Sequence, residues 1–317
     1  MSRTDTRTDA GNETASERLP SGTIVPCLWL DDQAERAARF YSETFPRGRI
    51  TSLSHYPQTG NNPSGKAAGS VLTVEFEIAG QHFTALNGGP HFEINPSISF
   101  FVYVDTPREA DALFARLAEG GKVLMGIDKY PWSERYGWVQ DRFGASWQVI
   151  SGVRPGAATI SPCLMFAGKR QGQAEAALKA YAAAFPGSRI DAVERYAAGE
   201  GPEGNVKHGR ASLGGQPLIA MDSHAPHAFD FDPGLSLQVM CADQAEVDRY
   251  WGTLSEGGAP GQCGWLTDRF GVSWQVVPNR IAEWLTSKDI AARDRAFQAV
   301  MGMRKIDIAA IEAAFRG

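Results

Sequence analysis

Apolar and polar positions along this chain alternate in an order that predicts its elements one after another. Residues 24–30 are a short apolar run ended by Asp31-Asp32 and read as a strand. Ala34, Ala37, Ala38, Tyr41 and Phe45 then recur at helical spacing until Pro46 stops the helix. Arg49 to Tyr56 reads as extended, and 57–68, rich in Pro, Gly, Asn and Ser, as a loop. Val71 to Ile78 alternates towards its end, and Ala79-Gly80 turns it into Gln81 to Asn87. The cycle restarts at once. Ser97 to Val104 is a strand, Pro107 to Ala118 a helix closed by Gly120-Gly121, and Tyr136–Gln140 and Ala145–Ile150 are strands joined at Phe143-Gly144. Residues 24–150 thus hold two βαβββ units.

The second half repeats the first. Trp138-Val139-Gln140-Asp141-Arg142-Phe143-Gly144-Ala145-Ser146-Trp147-Gln148-Val149 returns at 265–276 with nine of twelve positions identical. Ile24-Val25-Pro26-Cys27-Leu28 is echoed by Ile160-Ser161-Pro162-Cys163-Leu164, and Glu119-Gly120-Gly121 by Glu256-Gly257-Gly258. The expectation is an α+β chain of four βαβββ units: a disordered tail at 1–21, domains at 22–152 and 160–278, a Gly/Ala/Pro linker at 153–159, and a helical extension at 279–317. Two Ala-rich amphipathic helices are expected there, over 280–299 and 305–315. One difference separates the copies. Lys122 to Gly137 in the first is ten residues longer than Ala259 to Gly264 in the second, and its aromatic, charged stretch 125–136 resembles a lid as much as a longer hairpin.

A formal charge of −5 gives no basic footprint, so nucleic acid is not an expected partner. No apolar run approaches the roughly 20 residues that span a bilayer, and the polar first twenty residues are no secretory signal. Cys27, Cys163, Cys241 and Cys263 form no Cys-x-x-Cys pair, as expected of a reduced cytoplasmic protein.

The paired βαβββ units, the Asp-Arg-Phe-Gly-x-Ser-Trp-Gln closing motif and Asn87-Gly88-Gly89-Pro90 resemble the PhnB-like, or 3-demethylubiquinone-9 3-methyltransferase-like, branch of the glyoxalase, bleomycin-resistance and extradiol-dioxygenase (vicinal oxygen chelate) superfamily. The resemblance covers about 22–278, twice. It implies a curved sheet with a cleft, and, in metal-using members, His, Gln or Glu ligands on the first and last strands of each unit. Those positions fall here at Val25 to Cys27, Ala85 or Leu86, Ser99 and Gln148, and in the second copy at Ser161 to Cys163, Ala220 or Met221, Ser236 and Gln275. A Cys and a Gln per copy are too few donors for a divalent ion, so no metal is expected. No cofactor is expected either. Leu213-Gly214-Gly215-Gln216 and Asn87-Gly88-Gly89 do not lead into a helix, as a methyl-donor site of the common kind requires.

One cleft per copy is expected, with the first the larger or better covered. Trp29, Asn87, Tyr103, Trp138 and Gln148 are its candidate ligand-binding residues; Met165, Asp222, Met240, Trp265 and Gln275 are those of the second. The large side chains would give apolar walls, with core packing as the alternative. Each Gln would read a polar ligand group or bridge neighbouring strands. Asn87 and Asp222 would reach a ligand or cap a turn, while Asp141 and Asp268 would fix the turn before the last strand. No activated nucleophile emerges. The function expected is metal-independent binding of a small molecule, with the reaction open; a metal-dependent lyase, isomerase or dioxygenase, or a sequestering protein, are the alternatives. The two modules would pair as two subunits would, and a homodimer is kept open.

Overall fold

The computed structural model describes residues 18–60, 62, 64–152 and 159–317, so most of the expected tail and all of the linker but Thr159 lie outside the described residues. The first copy comprises β1 (Ile24–Leu30), α1 (Ala34–Thr44), β2 (Arg49–His55), β3 (Val71–Ile78), β4 (Gln81–Asn87), β5 (Ile98–Val104), α2 (Pro107–Ala118), β6 (Lys122–Tyr130), β7 (Ser133–Gln140) and β8 (Ser146–Ser151). The second comprises β9 (Ile160–Phe166), α3 (Ala174–Ala184), β10 (Arg189–Arg195), β11 (Val206–Leu213), β12 (Gln216–Asp222), β13 (Leu235–Cys241), α4 (Gln244–Ser255), β14 (Ala259–Pro260), β15 (Trp265–Thr267) and β16 (Ser273–Pro278). Three helices follow where two were expected: α5 (Ile281–Leu285), α6 (Ile290–Met301) and α7 (Ile308–Arg316). Asp289 and Asp307 cap α6 and α7 by accepting from the amides of Ala292 and Ala310, which is why the Ala-rich tract breaks there.

The sheets do not follow the copies. Sheet A has the order β14-β15-β16-β13-β1-β4-β3-β2 and sheet B the order β10-β11-β12-β9-β5-β8-β7-β6. Each therefore takes one unit from each half. The joins are antiparallel: β1 on β13 with Cys27 opposite Ser236, and β5 on β9 with Ser99 opposite Cys163. One cleft per copy is thus replaced by one open face per mixed sheet. The physical reason is that each unit's first strand has a free edge, and its partner is the matching edge of the other copy.

What holds a copy together is the core between the sheets. Phe83 of sheet A meets Phe100 of sheet B with centroids 5.1 Å apart, and the fully buried Trp147 packs on both Tyr41 and Phe45. Period-two alternation then sends the odd residues of β1 and β3, and the even ones of β4 and β13, to the opposite face of sheet A. Residues 18–21, assigned to the tail from sequence, are tied down: Arg18 pairs with Glu283, and Ser21 donates to Glu246.

Candidate functional site

The open face of sheet A is roofed by the helices after Pro278, leaving a cavity of about 630 Å³. Its floor carries Cys27, Trp29, Glu75, Thr84, Gln238 and Gln275; its roof is Leu285, Phe297, Val300, Met301 and Ile306. The roof is anchored by Asp294, a buried carboxylate in α6 that accepts from the amides of Gln58 and Thr59 at 2.9 and 3.0 Å and from the Thr59 hydroxyl at 3.2 Å. At its far end the amides of Cys263 and Gly264 donate to the carbonyls of Met303 and Arg304, both at 2.7 Å.

Trp29 and Trp265 form one wall. Trp29 is fixed by donating from Nε1 to the Gly89 carbonyl at 2.7 Å, with Phe92 edge-on at 4.8 Å. Gly88 must be glycine for this: a Cβ there would come within 2.1 Å of the Trp29 ring. Met240 and Gln275, also expected in a cleft, line the same cavity, but with Trp29 rather than in a separate one. A polar relay crosses the floor. Thr84 Oγ1 donates to Gln238 Oε1 at 2.8 Å, Gln238 Nε2 donates to Gln275 Oε1 at 3.2 Å, and Gln275 Nε2 donates to Ser236 Oγ at 2.9 Å. In this orientation it leaves one Gln238 amide hydrogen and the second lone pairs for another partner.

Glu75 escaped the sequence reading. It alternates with Thr73 and Glu77 on β3, and charges at that period read as the solvent face. The roof turns that face into a cavity wall. Glu75 lies between Ser52 of β2 and Thr84 of β4 in the ladder, and burial pushes its carboxyl above the ordinary carboxylate range, with the Ser52 hydroxyl opposing.

Sheet B presents the remaining candidates, and there the expected larger, lidded cleft is filled. Tyr103 and Trp138 pack with Phe101, Tyr136 and Ile219 in one apolar cluster, and Met165 is buried on β9 opposite Met221 of that cluster. The added segment extends the β6–β7 hairpin; Tyr130 and Trp132 at its tip pack on Tyr136, with centroids at 5.5 and 5.7 Å. Gln148 is spent on bridging, since Tyr136 Oη donates to its Oε1 at 2.6 Å and its Nε2 donates to Ser99 Oγ at 2.8 Å. The grouping of Trp29 and Asn87 with Tyr103, Trp138 and Gln148 is corrected by the strand exchange, which puts Trp29 and these last three on different sheets. The ten-residue insertion closes its own face rather than enlarging it.

Two further candidates hold the starts of helices. Asn87 is buried, and its Oδ1 accepts from the Ala34 amide at 2.8 Å while Nδ2 donates to the Val71 carbonyl at 3.0 Å. Asp222 accepts from the amides of Gly172, Ala174 and Val206 at 2.7, 3.2 and 2.9 Å. Both cap the start of the first helix in their copy, because a helix N-terminus has orphan N–H groups that need an acceptor. Asp141 and Asp268 each gather four donors: two turn amides, a Trp indole and a Tyr hydroxyl.

The metal implied by the superfamily does not fit the residues present. The ligand positions do converge, but across the copies, as Cys27, Ser236 and Gln275 in sheet A and Cys163, Ser99 and Gln148 in sheet B. Burial pushes the Cys27 thiol up to about 11 and the Cys163 thiol up to about 12, so neither supplies a thiolate near neutrality. Both glutamines are engaged with neighbours. Among the described residues no group of three or more His, Cys, Asp or Glu could hold a metal ion.

The sequence model of the family described as 3-demethylubiquinone-9 3-methyltransferase matches residues 22–150 and again 158–277. A putative 3-demethylubiquinone-9 3-methyltransferase, the PhnB protein from Bacillus cereus, is 33% identical over 40% of this chain and 98% of its own, with a TM-score of 0.37. Glyoxalase I from Zea mays is 13% identical over 82% of this chain and 92% of its own, with a TM-score of 0.51, a likeness of fold. A protein of Pseudomonas aeruginosa is 26% identical over 41% of this chain and 96% of its own, with a TM-score of 0.33. No curated protein matches the chain. With two matched copies and two glyoxalase-type mixed sheets, the chain belongs to the PhnB-like, 3-demethylubiquinone-9 3-methyltransferase family of the vicinal oxygen chelate fold.

Proposed function

We propose that this protein binds a small, largely apolar organic molecule in the roofed cavity of sheet A, and does so without a metal ion. The single observation that carries the reading is the cavity itself: about 630 Å³, apolar on wall and roof, with a hydrogen-bond relay along its floor. That combination of size, apolar lining and few fixed polar groups suits a drug-sized ligand. Metal-independence is supported by the donor set, in which two amides, two hydroxyls and two protonated thiols replace the carboxylates and imidazoles a divalent ion prefers. The methyl transfer in the family's name has no support in the chain, because Gly214-Gly215 is the hairpin between β11 and β12 and opens no helix. Among the described residues no helix is long and apolar enough to cross a membrane, and the free cysteines support a reduced, cytoplasmic setting.

The test is a thermal-shift screen of organic metabolites with and without chelator, followed by Val300→Trp, which fills the cavity from its roof. Hits that survive chelation and vanish in the filled variant support the reading. Hits that need a divalent ion, or that persist in Val300→Trp, overturn it.

A further inference from the structure

Among the described residues the cavity wall carries one acidic side chain, Glu75, and no lysine or arginine. Glu75 has Ser52 as its hydrogen-bonding neighbour and makes no ion pair among the described residues. A half-buried carboxylate facing apolar walls is costly to ionise without a counter-charge, and burial accordingly pushes it up. Around it stand the aromatic rings of Trp29, Tyr56, Trp265 and Phe297. Ring faces attract cations and a carboxylate pairs with them, whereas an anionic ligand would meet a like charge on a wall without lysine or arginine.

The duplicated half supplies a contrast within the same molecule. In the ladders Glu75 pairs with Thr84, and Arg210 pairs with Ile219, at the same register of β3–β4 and β11–β12. Glu75 and Arg210 are therefore equivalent positions carrying opposite charge. The rest of the floor diverges with them. Thr84 and Gln238, which form the relay, are replaced in sheet B by Ile219 and by Phe101, the residue facing Gln148 as Gln238 faces Gln275. The Arg210 side chain has a buried Nε without a hydrogen-bond partner, beside the filled apolar cluster. Charge sign at this one position is thus the sharpest chemical difference between the two faces, and the acidic face is the one that lines the roofed cavity.

We infer that the sheet A cavity selects an organic cation, an apolar and preferably aromatic molecule bearing a protonated amine, and that Glu75 reads its charge. This rests on the proposal that the cavity is a binding site. The ammonium would pair with the Glu75 carboxylate while the ring lies among the tryptophans, and the relay would meet any polar substituent.

Three probes of one shape separate the two ideas: 2-(2-naphthyl)ethylamine, 2-(2-naphthyl)ethanol and 2-naphthylacetate, titrated against the intact chain by calorimetry and by tryptophan quenching. The amine should bind at least tenfold more tightly than the alcohol, and the carboxylate least. Glu75→Gln, which keeps a partner for Ser52, should erase the tenfold gap between amine and alcohol while the circular dichroism stays native. Equal binding of amine and alcohol by the wild-type chain, or a gap that survives in Glu75→Gln, overturns charge selection and leaves the cavity reading standing. Binding of none of the three overturns both. The wild-type comparison needs no variant, so it decides the matter even where Glu75→Gln folds poorly.

Discussion

Trp29 of the first copy and Trp265 of the second stand edge to face with ring centroids 5.8 Å apart. Their strands, β1 and β15, are separated by β13 and β16, three ladder steps of roughly 14 Å in a flat sheet. They meet because both side chains are long and the sheet curls around its open face, so the pair measures the closure of the site. Trp265→Ala should cost about 0.5–1.5 kcal/mol of pairing beyond the area it uncovers. A cavity ligand should bind several-fold more weakly to it while the urea unfolding slope stays unchanged. A variant that binds as tightly as the parent would place the ligand elsewhere.

The two glutamines of the closing motifs, identical in local sequence, should respond differently. Gln148→Leu strands the Tyr136 hydroxyl and Ser99 in an apolar cluster, at about 1–3 kcal/mol of stability, with no effect on a sheet A ligand. Gln275→Leu cuts the relay between Gln238 and Ser236 and should lower both stability and affinity. Chemical denaturation and calorimetry on both variants check this. A loss of ligand affinity in Gln148→Leu, with stability intact, would reverse the assignment of the two faces.

Asp141 sits among four donors, yet burial dominates and pushes its carboxyl up to about 6; Asp268 is shifted the same way. The folded state therefore binds more protons than the unfolded one between the ordinary value of about 4 and 6. The stabilising contribution of Asp141 is full at low pH and falls as pH rises through that window, on the order of 2–3 kcal/mol. The Asp141 carboxyl carbon should titrate near 6 by NMR, and the urea midpoint of Asp141→Asn should change less between pH 5 and 7.5 than the parent's. A carboxyl that titrates near 4 would show the four hydrogen bonds winning instead.

The elements and their faces could be read from the chain because alternation and helical spacing report burial directly. The tandem motif gave the duplication, and Pro46, Gly120-Gly121 and Phe143-Gly144 punctuated it. Pairing between the copies was hidden, since period two says which face of β1 is buried but not whether its edge meets β5 or β13. Glu75 was hidden for a related reason. The part of its β3 face that carries Thr73 and Glu75 becomes an interior only when α5 and α6 are laid over it, and nothing in the Ala-rich tail says where it docks. Asn87 and Asp222 stayed open between two roles because a strand-end Asn or Asp beside glycines serves equally as a cap or a ligand contact.

The roof is the last element to test, and Asp294 is its anchor. Its carboxylate holds the loop after β2 through two amides and a hydroxyl, while Arg293 Nη2 lies 3.6 Å from its other oxygen. Asp294→Ala removes a buried charge-assisted cluster and leaves the Gln58 and Thr59 amides without their acceptor. The cost should be about 2–4 kcal/mol if the roof stays down. Lifting the roof is the alternative available to the chain, since water would then satisfy the amides, and α6 would expose Phe297, Val300 and Met301. Hydrogen exchange separates these outcomes. Faster exchange confined to α5–α7 and residues 57–60, with stronger binding of an apolar dye and faster ligand release, is expected. Uniformly faster exchange across β1, β13 and β16 would instead make Asp294 part of the global fold and the helices no separable cover.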